Sequence, residues 1–108
     1  MTRHVLLALT SPMQGDEEAY NAWYNDVHIP EILTVPGIVS ARRFKTRIVN
    51  APGGTQWQYA AVYEVETDDL RATLKTLGEV TSPPIAALDQ SASATIVAEE
   101  IFALGETD

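Results

Sequence analysis

The chain has 108 residues, 45% hydrophobic and 20% charged, the profile of one ordinary globular domain spanning 1–108. A formal net charge of −8 argues against nucleic acid, and the basic cluster Arg42, Arg43, Lys45 and Arg47 is too short to be a nucleic-acid arm. There is no cysteine for a disulfide, thiol nucleophile or metal site, no run of the ~20 apolar residues a membrane span needs, and Met1-Thr2-Arg3 leads into strand-like sequence, so a cytoplasmic location is expected.

Residues 4–10, His-Val-Leu-Leu-Ala-Leu-Thr, form an apolar run closed by Ser11-Pro12 and read as a strand. Gly15-Asp16-Glu17-Glu18 opens a helix, its carboxylates placed where the helix dipole favours negative charge. Tyr20, Tyr24 and His28 follow at i, i+4 and i+8 and share one face, with Trp23 and Val27 on the neighbouring stripe. Pro30 lacks an amide hydrogen and clashes with the preceding turn, so the regular helix is expected to break or kink near His28. Pro30-Glu31-Ile32-Leu33 then adds a distorted turn, and Pro36-Gly37 a tight one. Residues 38–48 read as a long second strand, 50–55 as a loop, and Trp57 to Val65 as a third strand. Thr67-Asp68-Asp69-Leu70 starts a second helix, with Thr67 or Asp68 as its cap and Leu70, Leu74 and Leu77 as its apolar stripe. Gly78 to Gln90 gives no firm element, 93–103 reads as a fourth strand, and the tail from Gly105 is expected to be loose.

The order β-α-β-β-α-β is that of a ferredoxin-like α+β domain with an antiparallel four-stranded sheet. The third strand carries Trp57, Tyr59, Ala61 and Tyr63 on one face and Ala60 and Val62 on the other, and residues 5–9 are apolar on both faces. Helices cover only one side of such a sheet, so the second apolar side needs another cover. A second copy, sheet against sheet, is the simplest, and a homodimer is the expected assembly.

The chemistry concentrates at the end of the first helix. His28 titrates near neutrality and can serve as acid or base, and Glu31 lies three residues on, where it can orient the imidazole. Tyr24 can donate a proton or a hydrogen bond, while Tyr20 and Trp23 can wall a pocket for a flat or apolar ligand. Arg42 and Arg43 point to opposite faces of the second strand; one of them, assigned to substrate binding as Arg42, can hold a carboxylate or enolate oxygen. Tyr59 and Tyr63 share a face with Trp57 and can line the same cavity, as can His4. The competing readings are a helix-capping His28, aromatics that only fill the core, and arginines that only bridge a dimer edge. His4 and His28 form no recognisable metal pattern, and Pro52-Gly53-Gly54 opens no helix, so no metal, flavin, nicotinamide or other cofactor is expected.

The string Trp23-Tyr24-x-x-x-His28-Ile29-Pro30-Glu31, followed by Val35-Pro36-Gly37, Ala41-Arg42-Arg43-Phe44 and Tyr59-Ala60-Ala61-Val62-Tyr63-Glu64-Val65, resembles EthD-like members of the dimeric α+β barrel superfamily. The resemblance covers roughly 3–104. It implies two ferredoxin-like subunits joined into a barrel, each keeping a cleft between sheet and helices. Such relatives include proteins of ether-degradation clusters and enzymes that cyclise, dehydrate or decarboxylate aromatic polyketides; more distant ones isomerise lactones or bind haem. The resulting expectation is a cofactor-free acid/base enzyme for a carbonyl-containing, aromatic or polyketide-like compound, or a non-catalytic small-molecule binding or accessory protein using the same cleft.

Overall fold

The apolar run at the start of the chain lies inside the sheet, which is why both its faces are apolar. In the computed structural model, which describes residues 1–54 and 56–105, β1 (Thr2–Thr10) pairs antiparallel with both β3 (Tyr59–Thr67) and β4 (Ala94–Glu99). The edge strand β2 (Ile38–Lys45) pairs with β3, giving the order β2-β3-β1-β4. All pairings are antiparallel and helical segments follow β1 and β3, so the α+β class and the β-α-β-β-α-β order are as read.

Two edge strands are shorter than expected. β2 stops at Lys45 rather than at residue 48, because the Thr46 amide makes the last backbone bond to the segment leading into β3, at Gln58 O, and Ile48 stands in solvent. Trp57 precedes β3 rather than opening it. β4 stops at Glu99 rather than at residue 103, and Ile101, Phe102 and Leu104 are almost fully exposed beyond it. Apolar composition alone predicts a strand there, but a strand also needs a partner ladder.

The first helical layer is one rod made of α1 (Glu17–Trp23), a π turn (Tyr24–His28) and α2 (Ile29–Ile32). The rod does not break at Pro30. The Ile29 amide donates to Tyr24 O, five residues back, so the turn takes in one extra residue. Pro30 then falls in the first turn of α2, where a missing amide hydrogen is tolerated.

The second layer is α3 (Leu70–Val80). Its cap is Asp69, whose carboxylate accepts the Ala72 amide at 3.1 Å, rather than Thr67 or Asp68. The Thr67 hydroxyl accepts the Asp69 amide instead and so shapes the approach to the cap. Of the expected stripe, Leu70, Leu74 and Leu77 are half-buried, and Leu77 packs against the core. No helix of the described residues is long and apolar enough to cross a membrane.

Between helices and sheet lies a core of Leu6, Tyr59, Ala61, Tyr63 and Val65 from the strands and Tyr20, Trp23, Tyr24 and Ile32 from the rod. Each such aromatic or aliphatic side chain contributes roughly 1.5–3 kcal/mol by leaving water. Val35 and Ile38 close it beside Gly37, whose φ of +99° suits glycine and whose added Cβ would stand 3.2 Å from Glu66 O. Alternation places Val5, Leu7, Leu9, Val62, Phe44 and Ile96 on the opposite, helix-free side of the sheet.

Candidate functional site at the His28 end of the first helix

The π turn decides where His28 points. Trp23 and His28 are five residues apart, yet their rings stack with centroids 4.4 Å apart and planes 17° apart, as residues four apart would meet on a regular helix. His28 also meets Tyr24 in a T-shape at 5.0 Å. The expected face survives in part: Tyr20 and Tyr24 are edge-on neighbours at 5.4 Å, and both are buried, with 0% and 2% exposure.

His28 is half-buried, and its Nδ1 is buried without a hydrogen-bond partner. Burial pushes its pKa below 6.5, with Glu31 pulling it partly back. The shift favours the uncharged imidazole at neutral pH. Glu31 does not bond the ring. Its carboxylate accepts the Ser82 amide at 3.1 Å and the Ser82 hydroxyl, and these bonds hold it below the usual carboxylate range. The coupling of Glu31 to His28 runs through space.

Behind the ring pair lies a layer of phenols. The Tyr20 hydroxyl bonds the Thr10 hydroxyl, and the Tyr63 hydroxyl is buried without a partner. Burial pushes the pKa of Tyr20, Tyr24 and Tyr63 upward, most strongly for Tyr63. These groups stay protonated and act as hydrogen-bond donors rather than bases. Tyr59 donates to Glu17 and accepts from Asn21 Nδ2 at 3.3 Å. Lys45 stands 3.7 Å from the same Glu17 carboxylate.

Of the two adjacent arginines it is Arg43, not Arg42, that enters this layer. Counting from the buried Ile38, strict alternation turns Ser40, Arg42 and Phe44 inward. The register shift between Ile38 and Ser40 inserts Val39 as an extra residue, and Ala41 and Arg43 face the helices instead. The Arg43 guanidinium carbon lies 4.4 Å from the Tyr24 ring centre, 5.1 Å from Tyr59 and 5.4 Å from Tyr20. Its terminal nitrogens donate to Asn25 Oδ1 and Asn21 Oδ1, each at 2.9 Å, while its Nε is buried and unpaired. Arg42 lies on the helix-free face beside Phe44.

His4 is buried in β1 between Val65 and Glu99, with its Nδ1 unpaired. Three open hollows of about 500, 560 and 360 Å³ lie around Glu17 and Asp89, around Pro36 and Thr73, and around Val5 and Ala98; none touches His28. Among the described residues no three His, Asp or Glu side chains gather as metal ligands would.

Asn21, Asn25, Ser82 and the inward phase of Arg43 escape sequence reasoning. Alternation in the second strand is the signal for Arg43, and the inserted Val39 scrambles it.

No protein-family model and no curated protein sequence matches the chain. Its structure is similar to the crystal structure of an ethyl tert-butyl ether d (EthD) family protein from Bacillus halodurans, with a TM-score of 0.51 and 19% sequence identity over 94% of this chain and 100% of that one. The likeness that the Trp23–Glu31 string suggested thus holds at the level of fold: this chain has the α+β fold of an EthD family protein along nearly its whole length.

Proposed function

We propose that the chain takes a small carbonyl-containing, aromatic or polyketide-like molecule at the His28 end of the rod and moves a proton on it without a cofactor. One observation carries this reading: a half-buried, uncharged imidazole fixed against Trp23, with a buried ring nitrogen that no protein group satisfies. A neutral histidine with an unused nitrogen suits general-base work, and the reaction classes it fits are cyclisation, dehydration, decarboxylation or isomerisation. Tyr24 beside it is a phenol that stays protonated and supplies a donor for a developing oxyanion. Glu31 favours the charged form of the ring through space. Tyr20, Trp23, Tyr59 and Tyr63 form the walls, and Arg42 faces the sheet side where a second copy would meet it.

The same reading includes a homodimer that buries the helix-free face of the sheet. The apolar row Val5, Leu7, Leu9, Val62, Phe44 and Ile96 supports it, with Phe44 and Ile96 about half exposed in the lone chain. Light scattering coupled to size exclusion should give about twice the 11.8 kDa chain mass. The dimer should survive added salt, since a net charge of −8 repels its own copy and screening removes that repulsion. A stable monomer at micromolar concentration refutes the sheet-to-sheet assembly.

Non-catalytic binding by the same site is the second reading. It is favoured by Glu31, whose bonds go to Ser82 and leave the imidazole without a directly bonded orienting carboxylate. The deciding experiment follows the two histidines by NMR while acetophenone or phenol is added, then measures turnover of any compound that binds. Shifts at His28 and a loss of turnover of ~10²–10⁴-fold in His28→Ala support the catalytic reading. Binding without turnover selects the second. If a ligand binds or reacts and His28→Ala changes neither, His28 only packs against Trp23 and Tyr24.

A further inference from the structure

Arg43 is a cation without a counter-ion. Its guanidinium sits in a cage of three phenol rings and is met by two neutral amide oxygens, and among the described residues no carboxylate lies within 4.0 Å of it. Lys45 adds a second positive charge nearby, 6.0 Å from the Tyr59 ring, and Glu17 is the carboxylate that meets this group, through Lys45 and Tyr59. In a chain with more than twice as many acidic as basic residues, this is a local positive spot.

Two buried polar atoms without partners gather around one ring. Arg43, with its free Nε, lies over Tyr24, and His28, with its free Nδ1, meets Tyr24 in a T-shape. Buried polar groups are rarely left unpaired, and a cluster of them marks a place where something else binds. Each of the two elements involved also carries one inserted residue that sets the phase of the side chains beyond it, Val39 in β2 and the extra residue of the π turn. Bulges of both kinds concentrate at sites where a side chain must be re-aimed.

We propose that the molecule taken at the His28 end is an anion, a carboxylate or an enolate, and that Arg43 is the residue that recognises its charge. The inference rests on the proposed small-molecule role of His28 and narrows its substrate class. The ligand oxygens replace the Asn21 and Asn25 amide oxygens on the guanidinium. Both side-chain amides can then rotate to present N–H donors, so the same three side chains that are satisfied without a ligand become an oxyanion cradle. Held there, a carboxylate or enolate lies beside Tyr24, the ring that His28 also meets.

The test compares benzoate with its neutral isostere benzamide on the intact chain, reading the His28 ring and the Arg43 Nε–H by NMR. Benzoate should shift both signals and bind about tenfold or more tightly than benzamide, the scale of a charge-assisted contact. Arg43→Gln should erase that preference, and Arg43→Lys should keep part of it. Because removing a caged cation can unfold the chain, the wild-type Nε–H shift decides the matter by itself. If benzamide matches benzoate, or benzoate moves His28 without moving the Arg43 Nε–H, the anionic assignment falls and the proposed function stands. If neither probe, nor acetophenone, moves His28, the proposed function falls and this inference falls with it.

Discussion

The helix α3 is capped and regular, and the rod from Glu17 to Ile32 is neither. α3 starts on a carboxylate that bonds its third amide, runs regularly for 11 residues and ends in extended chain; Thr73 is its one buried residue. The rod has no side-chain cap, contains a π turn and a proline, and nonetheless buries Tyr20, Trp23, Tyr24 and Ile32. Local propensity supports α3, and tertiary burial supports the rod. Departures from local regularity tend to fall where a side chain has a task, and here they surround His28, the centre of the proposed site.

Removing one core-packed side chain from each helical element puts this contrast under the greatest load. Tyr20→Ala empties a fully buried site and loses the bond to Thr10, so it should cost about 3–5 kcal/mol in denaturant unfolding. Leu77→Ala, on a half-buried position of α3, should cost about 2 kcal/mol, the lower end for a leucine truncation. Equal losses would mean that the rod draws its stability from its own backbone rather than from the sheet.

The reverse experiment acts on α3. Asp69→Ala removes the side-chain cap and should cost about 1 kcal/mol. For a domain of this size that lowers Tm by roughly 4–8 °C. Asp16→Ala, at the start of the rod, should cost clearly less, because the Asp16 side chain makes no capping bond. A thermal melt of the two variants side by side measures the difference.

These elements also show what the sequence discloses. The alternation of Tyr59, Ala61, Tyr63 and Val65 reads correctly as an inward face because β3 is regular and central. The aromatic–histidine cluster is legible in part: Tyr24 and His28, four apart, meet as the spacing predicts, while the Trp23–His28 stack depends on the π turn. The illegible features come from one-residue insertions. Val39 reverses the phase of β2 and exchanges Arg42 for Arg43, and the π turn carries the helix through Pro30. Neither insertion has a composition signal; each depends on which backbone partner the flanking residues find. Ser82 stands 51 positions from Glu31, and no local pattern announces such a contact.

A pH titration separates His28 from the rest of the rod. The burial-lowered pKa means that the unfolded chain takes up a proton on this residue before the folded chain does. Stability therefore falls as pH drops below the unfolded value of 6.5, and stops falling from this source below the lower folded value. Glu17 and Glu31 have folded values below 4.5, and the loss of their favourable contributions begins at more acid pH than the loss from His28. His28→Gln should flatten the stability profile immediately below pH 6.5 and leave the more acid limb unchanged. An unaltered profile would place the imidazole in water rather than against Trp23.

The smallest expected effect lies where the two layers meet. Glu31 on α2 holds Ser82, two residues beyond the end of α3, so a single exposed carboxylate ties the end of the irregular rod to the end of the regular helix. Exposed contacts of this kind add little near neutral pH, and Glu31→Gln should leave the melting curve at pH 7 close to that of the unaltered chain. Its effect should appear on His28 instead. The Glu31 charge favours the protonated imidazole, so neutralising it should move the His28 titration to lower pH, a change that NMR reads directly. Ser82→Ala frees the carboxylate but keeps its charge, and should move that titration less than Glu31→Gln does. If Glu31→Gln leaves the His28 titration in place, the carboxylate has no electrostatic hold on the ring, and Glu31 serves only to join the two helical layers.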